Sequence, residues 1–107
     1  MRKIKAIVKR TDEEVGHMTW ISNTLENLQR IVGGYIETVT MRKKRGDVPI
    51  VVICNEEGLL DGLPINCTVG GVLLHGDIAI VGVDEDEFAD VPIDFKTWKS
   101  DWLGGVE

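Results

Sequence analysis

The chain is expected to fold as an α+β domain: a mixed, mainly antiparallel sheet of five or six strands with one helix on a face and a short C-terminal helix. Three observations predict this. Residues 48–54 and 78–83 are continuous apolar runs of strand length, the pattern of strands covered on both faces. Residues 2–10 place Ile4, Ala6 and Val8 on alternate positions, the period of a half-buried strand. Leu25, Leu28 and Val32, with Ile31 beside them, recur at helical spacing. The 107 residues suit one core, so residues 1–107 are read as a single domain.

In chain order, the first strand carries Lys3, Lys5 and Lys9 opposite its apolar positions, with Ile7 as the exception, which predicts a basic outer face. Residues 11–16 are a polar turn, and residues 17–21 return as a second strand, completing a hairpin. Asn23 with Glu26 three positions on has the form of a capping box, so a helix is expected over 23–32, ended by Gly33-Gly34. Residues 35–41 resume strand character, and the basic turn 42–46 leads into the central run 48–54. Residues 59–60 and 65–69 are short strand candidates, followed by glycine turns at Gly70-Gly71 and Gly76-Asp77. Residues 95–103 can form a closing amphipathic helix with Asp94 as its cap and Gly104-Gly105 as its stop.

The composition is that of a soluble globular protein, with 43% hydrophobic and 28% charged residues. The absence of a long apolar stretch or a charged-then-apolar leader sets a cytoplasmic expectation, with no membrane partner. Net charge is −6, but residues 1–50 hold ten Lys/Arg against six Asp/Glu, while residues 51–107 hold two against twelve. Kept apart in space, the basic half would attract an acidic partner and the acidic half would repel duplex nucleic acid; interleaved, the asymmetry would vanish. Phe88, Phe95, Trp98 and Trp102 are a large aromatic load for so small a core, which argues for a homodimer.

Metal chemistry finds little support. Cys54 and Cys67 stand thirteen apart without a close ligand pair, and a calcium-loop count from Asp84 meets Ala89 at position six and Phe95 at position twelve. Neither Cys54 with His75 nor the adjacent pair Glu56 and Glu57 makes a convincing nucleophile and base, so no catalysis and no cofactor are expected. Residues 55–66 are different. This segment follows the central apolar run with two turn signals, four acidic or amide side chains before Pro64, and a second asparagine after it. A ligand site is therefore placed here. Asn55 and Asn66 would read polar edges, Glu56 would border the same pocket, Lys9, Arg10, Arg42 and Arg45 would hold an anion, and Trp20 and Tyr35 would stack.

Four short motifs occur in order: Leu28-Gln29-x-x-Val32-Gly33-Gly34-Tyr35-Ile36-Glu37, Val52-Ile53-Cys54-Asn55-Glu56-Glu57-Gly58, Gly62-Leu63-Pro64-x-Asn66 and Gly76-Asp77-Ile78. The set resembles a domain family of unknown function catalogued under the number 3846, found chiefly in bacteriophages and mobile elements, over roughly residues 4–90. The resemblance implies a small α+β domain with no assigned catalysis. The basic turn 42–45 and the tryptophan-bearing C-terminus depart from its usual pattern. For a phage protein of this kind the expected role is binding and sequestering a small anionic ligand, of which a nucleotide signal of host immunity is one case. The alternative is a protein that binds and inhibits a host protein.

Overall fold

A computed structural model describes residues 2–104. Two sheets, one helix on a face and a short C-terminal helical segment build the domain. The larger sheet has the order β2-β1-β7-β4-β3, formed by β1 (Lys3–Lys9), β2 (His17–Ser22), β3 (Ile36–Met41), β4 (Ile50–Asn55) and β7 (Ile78–Asp84), with β8 (Glu87–Ala89) added on β7. The smaller sheet has the order β6-β5-β9, from β5 (Ile65–Val69), β6 (Val72–His75) and β9 (Leu103–Gly104). Every strand pair among the described residues is antiparallel.

The two apolar runs give interior strands, as expected, except at their ends, where Val48 precedes β4 and is exposed and Val83 is exposed near the end of β7. All six residues of β4 are buried, as are the first five of β7. Alternation along these strands feeds two cores. Val51, Ile53, Ala79 and Val81 face α1 (Leu25–Val32), whose Leu28 and Val32 are buried with them. Burial of each such side chain contributes about 1.5–3 kcal/mol. Ile50, Val52, Ile78 and Ile80 face the smaller sheet and the C-terminal segment, where they meet Val69, Leu74, Trp98 and Trp102.

Helix α1 starts one residue later than the capping box suggested. Thr24 is the cap, its Oγ1 accepting the Asn27 N–H at 3.2 Å. Asn23 is taken by another contact, donating through Nδ2 to the Phe88 carbonyl at 3.1 Å and so tying the helix entry to β8. The helix ends at Gly33, whose φ of 78° is the left-handed geometry that glycine adopts without strain. The C-terminal segment also differs from a simple amphipathic helix. Asp94 does cap it, but one α-helical turn, α2 (Phe95–Thr97), passes into a π-helical turn over Trp98–Trp102 and then into β9. Trp98 and Trp102, four apart, share the buried side, where Trp98 Nε1 donates to the Val15 carbonyl at 2.8 Å. Gly104 lies in β9, and Gly105 of the expected stop is outside the described residues. Residues 59–60 form turns rather than a strand. Of the four aromatics noted in the sequence, Trp98 and Trp102 are buried within the one chain, while Phe88 and Phe95 are half-buried.

With β1 and β7 one open alternative is decided and one sequence expectation changes. The segregated charge halves interleave, because β7 of the acidic half is inserted between β1 and β4. Lys9 leaves the basic outer face. It is only 3% exposed, with Nζ donating to Asn66 Oδ1 at 2.7 Å, the Glu13 carbonyl at 2.6 Å and the Arg10 carbonyl at 3.5 Å. The reason is that the smaller sheet covers this end of β1, so the side on which Lys3 and Lys5 are exposed becomes interior at Ile7 and Lys9.

The turn after β1 is closed by Glu13, which accepts the Arg10 N–H at 2.9 Å and holds the His17 ring at 2.7 Å. Burial pushes the Glu13 carboxyl up, but the bonds from Arg10 and His17 and the charges of those residues hold it on balance below its ordinary value.

Three outcomes test this packing. Asn66→Ala should cost about 3 kcal/mol in urea unfolding, since it leaves one N–H of a buried ammonium and the Lys9 and Gly76 carbonyls unmet, and Lys9→Met should cost less. Gly82→Ala should also destabilise measurably, because a Cβ there would lie 2.3 Å from the Asp90 carbonyl oxygen. A carboxyl lowered by folding stabilises above its unfolded value and stops doing so as pH falls through its folded value. Glu13→Gln should therefore narrow the stability difference between neutral pH and pH 3, measured by thermal unfolding, and an unchanged acid limb would refute that role for Glu13.

Candidate functional site

The polar segment 55–66 connects the two sheets, and the asparagines at its ends are struts. Asn55 Nδ2 donates to the Val32 carbonyl at 3.2 Å, capping the C-terminal end of α1, and its Oδ1 accepts the Glu57 N–H at 2.8 Å. Gly34 leaves room for this amide, since a Cβ there would lie 2.8 Å from Asn55 Nδ2 and the asparagine would have to shift. Asn66 Nδ2 donates to the carbonyls of Lys9 and Gly76, both at 2.8 Å, while Oδ1 receives Lys9 Nζ. All of its bonding capacity except one lone pair is consumed inside the protein.

The remaining residues of the expected site are scattered. Asn55 pairs with Ile36 at one end of the β3–β4 hairpin, whereas the turn with Arg42 and Arg45 follows the Met41–Ile50 pair at the other end. At about 3.4 Å per residue the two ends are roughly 17 Å apart. Glu56 is exposed near Tyr35, donating its N–H to the Tyr35 carbonyl at 2.8 Å. The basic turn is organised by its own contacts: Arg42 Nε donates to the Asp47 carbonyl, the Lys44 N–H bonds Asp47 Oδ2, and Lys43 Nζ lies 4.9 Å from the Trp102 ring centre. Trp20 and Tyr35 are both exposed but belong to opposite edges of the larger sheet, four strand spacings or roughly 19 Å apart. They cannot sandwich one ring.

What the fold does assemble is a groove of about 450 Å³ between α1 and the β1–β2 edge, inside the ~300–1,000 Å³ range of small-molecule sites. Its origin is a mismatch between helix and sheet. The phase of β2 that faces α1 carries His17, Thr19 and Ile21, opposite Val8, Ala6 and Ile4 of β1. Only Ile21 is buried, because an eight-residue helix is too narrow to cover the polar pair as well. Arg10 enters from the end of β1, and Arg30 and Asn27 from the helix. Arg30 bonds Asn27 Oδ1, and Asn27 Nδ2 bonds the Ser22 carbonyl at 3.0 Å. Neither Arg10 nor Arg30 has an ion pair among the described residues, where Glu13–His17 is the one pair formed.

Of the residues singled out from sequence, Arg10 and Trp20 therefore line this groove, and Lys9 lies buried behind it. Trp20 contributes from the edge strand. Its ring lies on the Lys5 side of the sheet, with Lys5 Nζ 5.6 Å from its centre. Arg30, Asn27, Thr19 and Asp77 were missed. Two polar residues on the inward phase of β2 were the available signal, together with Asn27 and Arg30 three apart on the helix.

The thiols offer little chemistry. Cys54 and Cys67 are free and buried; burial and the Glu37 charge push Cys54 up, and burial pushes Cys67 up against the opposing effect of Lys9. No helix among the described residues is long and apolar enough to cross a membrane.

Among known proteins, neither a curated protein nor a solved structure gives a significant match. A family match does exist, and it runs from residue 4 to residue 102. It therefore extends past residue 90 and spans the segment that carries Trp98 and Trp102. Covering nearly the whole domain, it establishes that the chain belongs to the family described as a domain of unknown function, DUF3846.

Proposed function

We propose that this domain is a non-catalytic binder of a small anionic ligand, held in the groove between α1 and β2. The observation that carries this is the pair of arginines on its two sides, Arg10 from the sheet and Arg30 from the helix, neither in a salt bridge among the described residues, although the Glu13 carboxyl feels the Arg10 charge. A guanidinium without a salt bridge at a concave surface is suited to a phosphate or carboxylate, which it meets with paired N–H donors. Asn27, Thr19 and Ser22 add neutral hydrogen-bonding groups along the same wall. Stoichiometric sequestration of a nucleotide is the biological form of this reading that best suits a small binding domain.

A second reading rests on a different surface. Leu59 and Leu60 are 73% and 84% exposed at the tip of the loop between the sheets, and Ile65 is exposed nearby in sequence. An apolar pair so presented suits capture of a protein partner.

The two readings separate in one titration series. Calorimetry with inorganic phosphate and adenosine 5′-monophosphate should give binding to the natural protein. Arg10→Gln with Arg30→Gln should weaken it by about a hundredfold or more, from two lost charge-assisted bonds. Arg42→Gln with Arg45→Gln, on a distant turn, and Leu59→Ser with Leu60→Ser should leave it unchanged. Failure of both probes to bind would remove the anion reading, and loss confined to the Arg42/Arg45 variant would move the site.

A further inference from the structure

Asp77 stands where the groove meets a second cavity of about 290 Å³ that passes round the end of α1 beside Gly33, Leu63 and Pro64. Asp77, Arg30 and Ile31 line both cavities, so the two are adjoining parts of one space. The carboxylate is half-buried, accepts the Thr11 N–H through Oδ1 at 2.9 Å, and has no ion pair among the described residues. Helix α1 also ends here, and the last carbonyls of a helix carry its negative end. Asn55 satisfies the Val32 carbonyl, while the Gly33 and Gly34 N–H groups both return to Gln29.

The space is therefore two-signed. Arg10 and Arg30 attract negative charge, while Asp77 and the helix end attract hydrogen-bond donors and oppose a second negative charge. A bare anion meets both influences and gains from only one. A molecule with hydroxyl groups beside its anionic group gains from both.

We propose that the groove selects a phosphate ester of a polyol, the chemistry of the ribose phosphate unit of a nucleotide. Its phosphate lies on Arg10 and Arg30, and its neighbouring hydroxyls donate to Asp77. This rests on the anion-binding reading above and specifies its ligand class. Asp77 is then a specificity residue whose charge works against simple anions.

The test is calorimetric titration of inorganic phosphate and ribose 5-phosphate into the natural protein, Asp77→Asn, and the Arg10→Gln/Arg30→Gln double variant. Asparagine keeps an oxygen for the Thr11 N–H, and a thermal melt checks that the fold survives. The natural protein should prefer ribose 5-phosphate. Asp77→Asn should reduce that preference by about tenfold, the size of one charge-assisted bond, and should hold phosphate as tightly as before or more tightly. Equal affinities in the natural protein, or a preference untouched by Asp77→Asn, would overturn the assignment. If the double arginine variant still weakened both probes, the anion site would stand without it. No binding of either probe to the natural protein would overturn both.

Discussion

β7 is buried on both faces, with Ile78 and Ile80 toward one core and Ala79 and Val81 toward the other, so it is stable in water only when both faces are covered. β4 beside it has the same requirement. The two covers are unequal. One is a helix of eight residues; the other is a three-stranded sheet completed by the C-terminal tryptophans. The short helix covers β1, β4 and β7 but not the polar phase of β2, and the groove is the part of the sheet it fails to cover. The candidate site is thus a by-product of how the central strands are shielded.

The larger cover is fastened by Lys9 and Asn66, whose side chains join β1 to β5. An ammonium group out of water is costly unless its donors are met. Here all three N–H groups find carbonyl-type oxygens and none finds a carboxylate. Such an arrangement depends on position alone, because only the fold brings those three oxygens together. It stabilises the junction by satisfying the group rather than by neutralising it, and it consumes two residues whose types suggest ligand binding.

The elements were legible where a single periodicity held. The apolar runs of β4 and β7, the alternation at the start of β1 and the stripe of α1 all reported their own environments. Residues failed to be legible where a distant segment decided their role. Lys9 reads as a solvent-facing lysine until β5 supplies Asn66, fifty-seven positions away. Asn55 and Asn66 read as loop polarity because nothing local says that a helix end and a strand carbonyl lie within reach. The amphipathic pattern of residues 95–103 was genuine and places the tryptophans four apart on one side, but that spacing does not distinguish a π turn from an α-helix. For the site, Arg10 was found by charge, whereas Arg30 and Asp77 required the helix to be placed against β2.

The insertion of β7 between β1 and β4 has a consequence for how the chain folds. The first 55 residues contain two complete hairpins, β1–β2 and β3–β4, which do not pair with each other. Each presents one unpaired apolar edge until residues 78–84 arrive to bridge them. Pairing across some seventy residues is entropically slow compared with closing a hairpin. During synthesis the nascent chain therefore exposes two open strand edges at once, one in each hairpin, and these can pair with neighbouring chains. β7 acts as a late keystone, and the interval before its arrival is when aggregation competes most directly with folding.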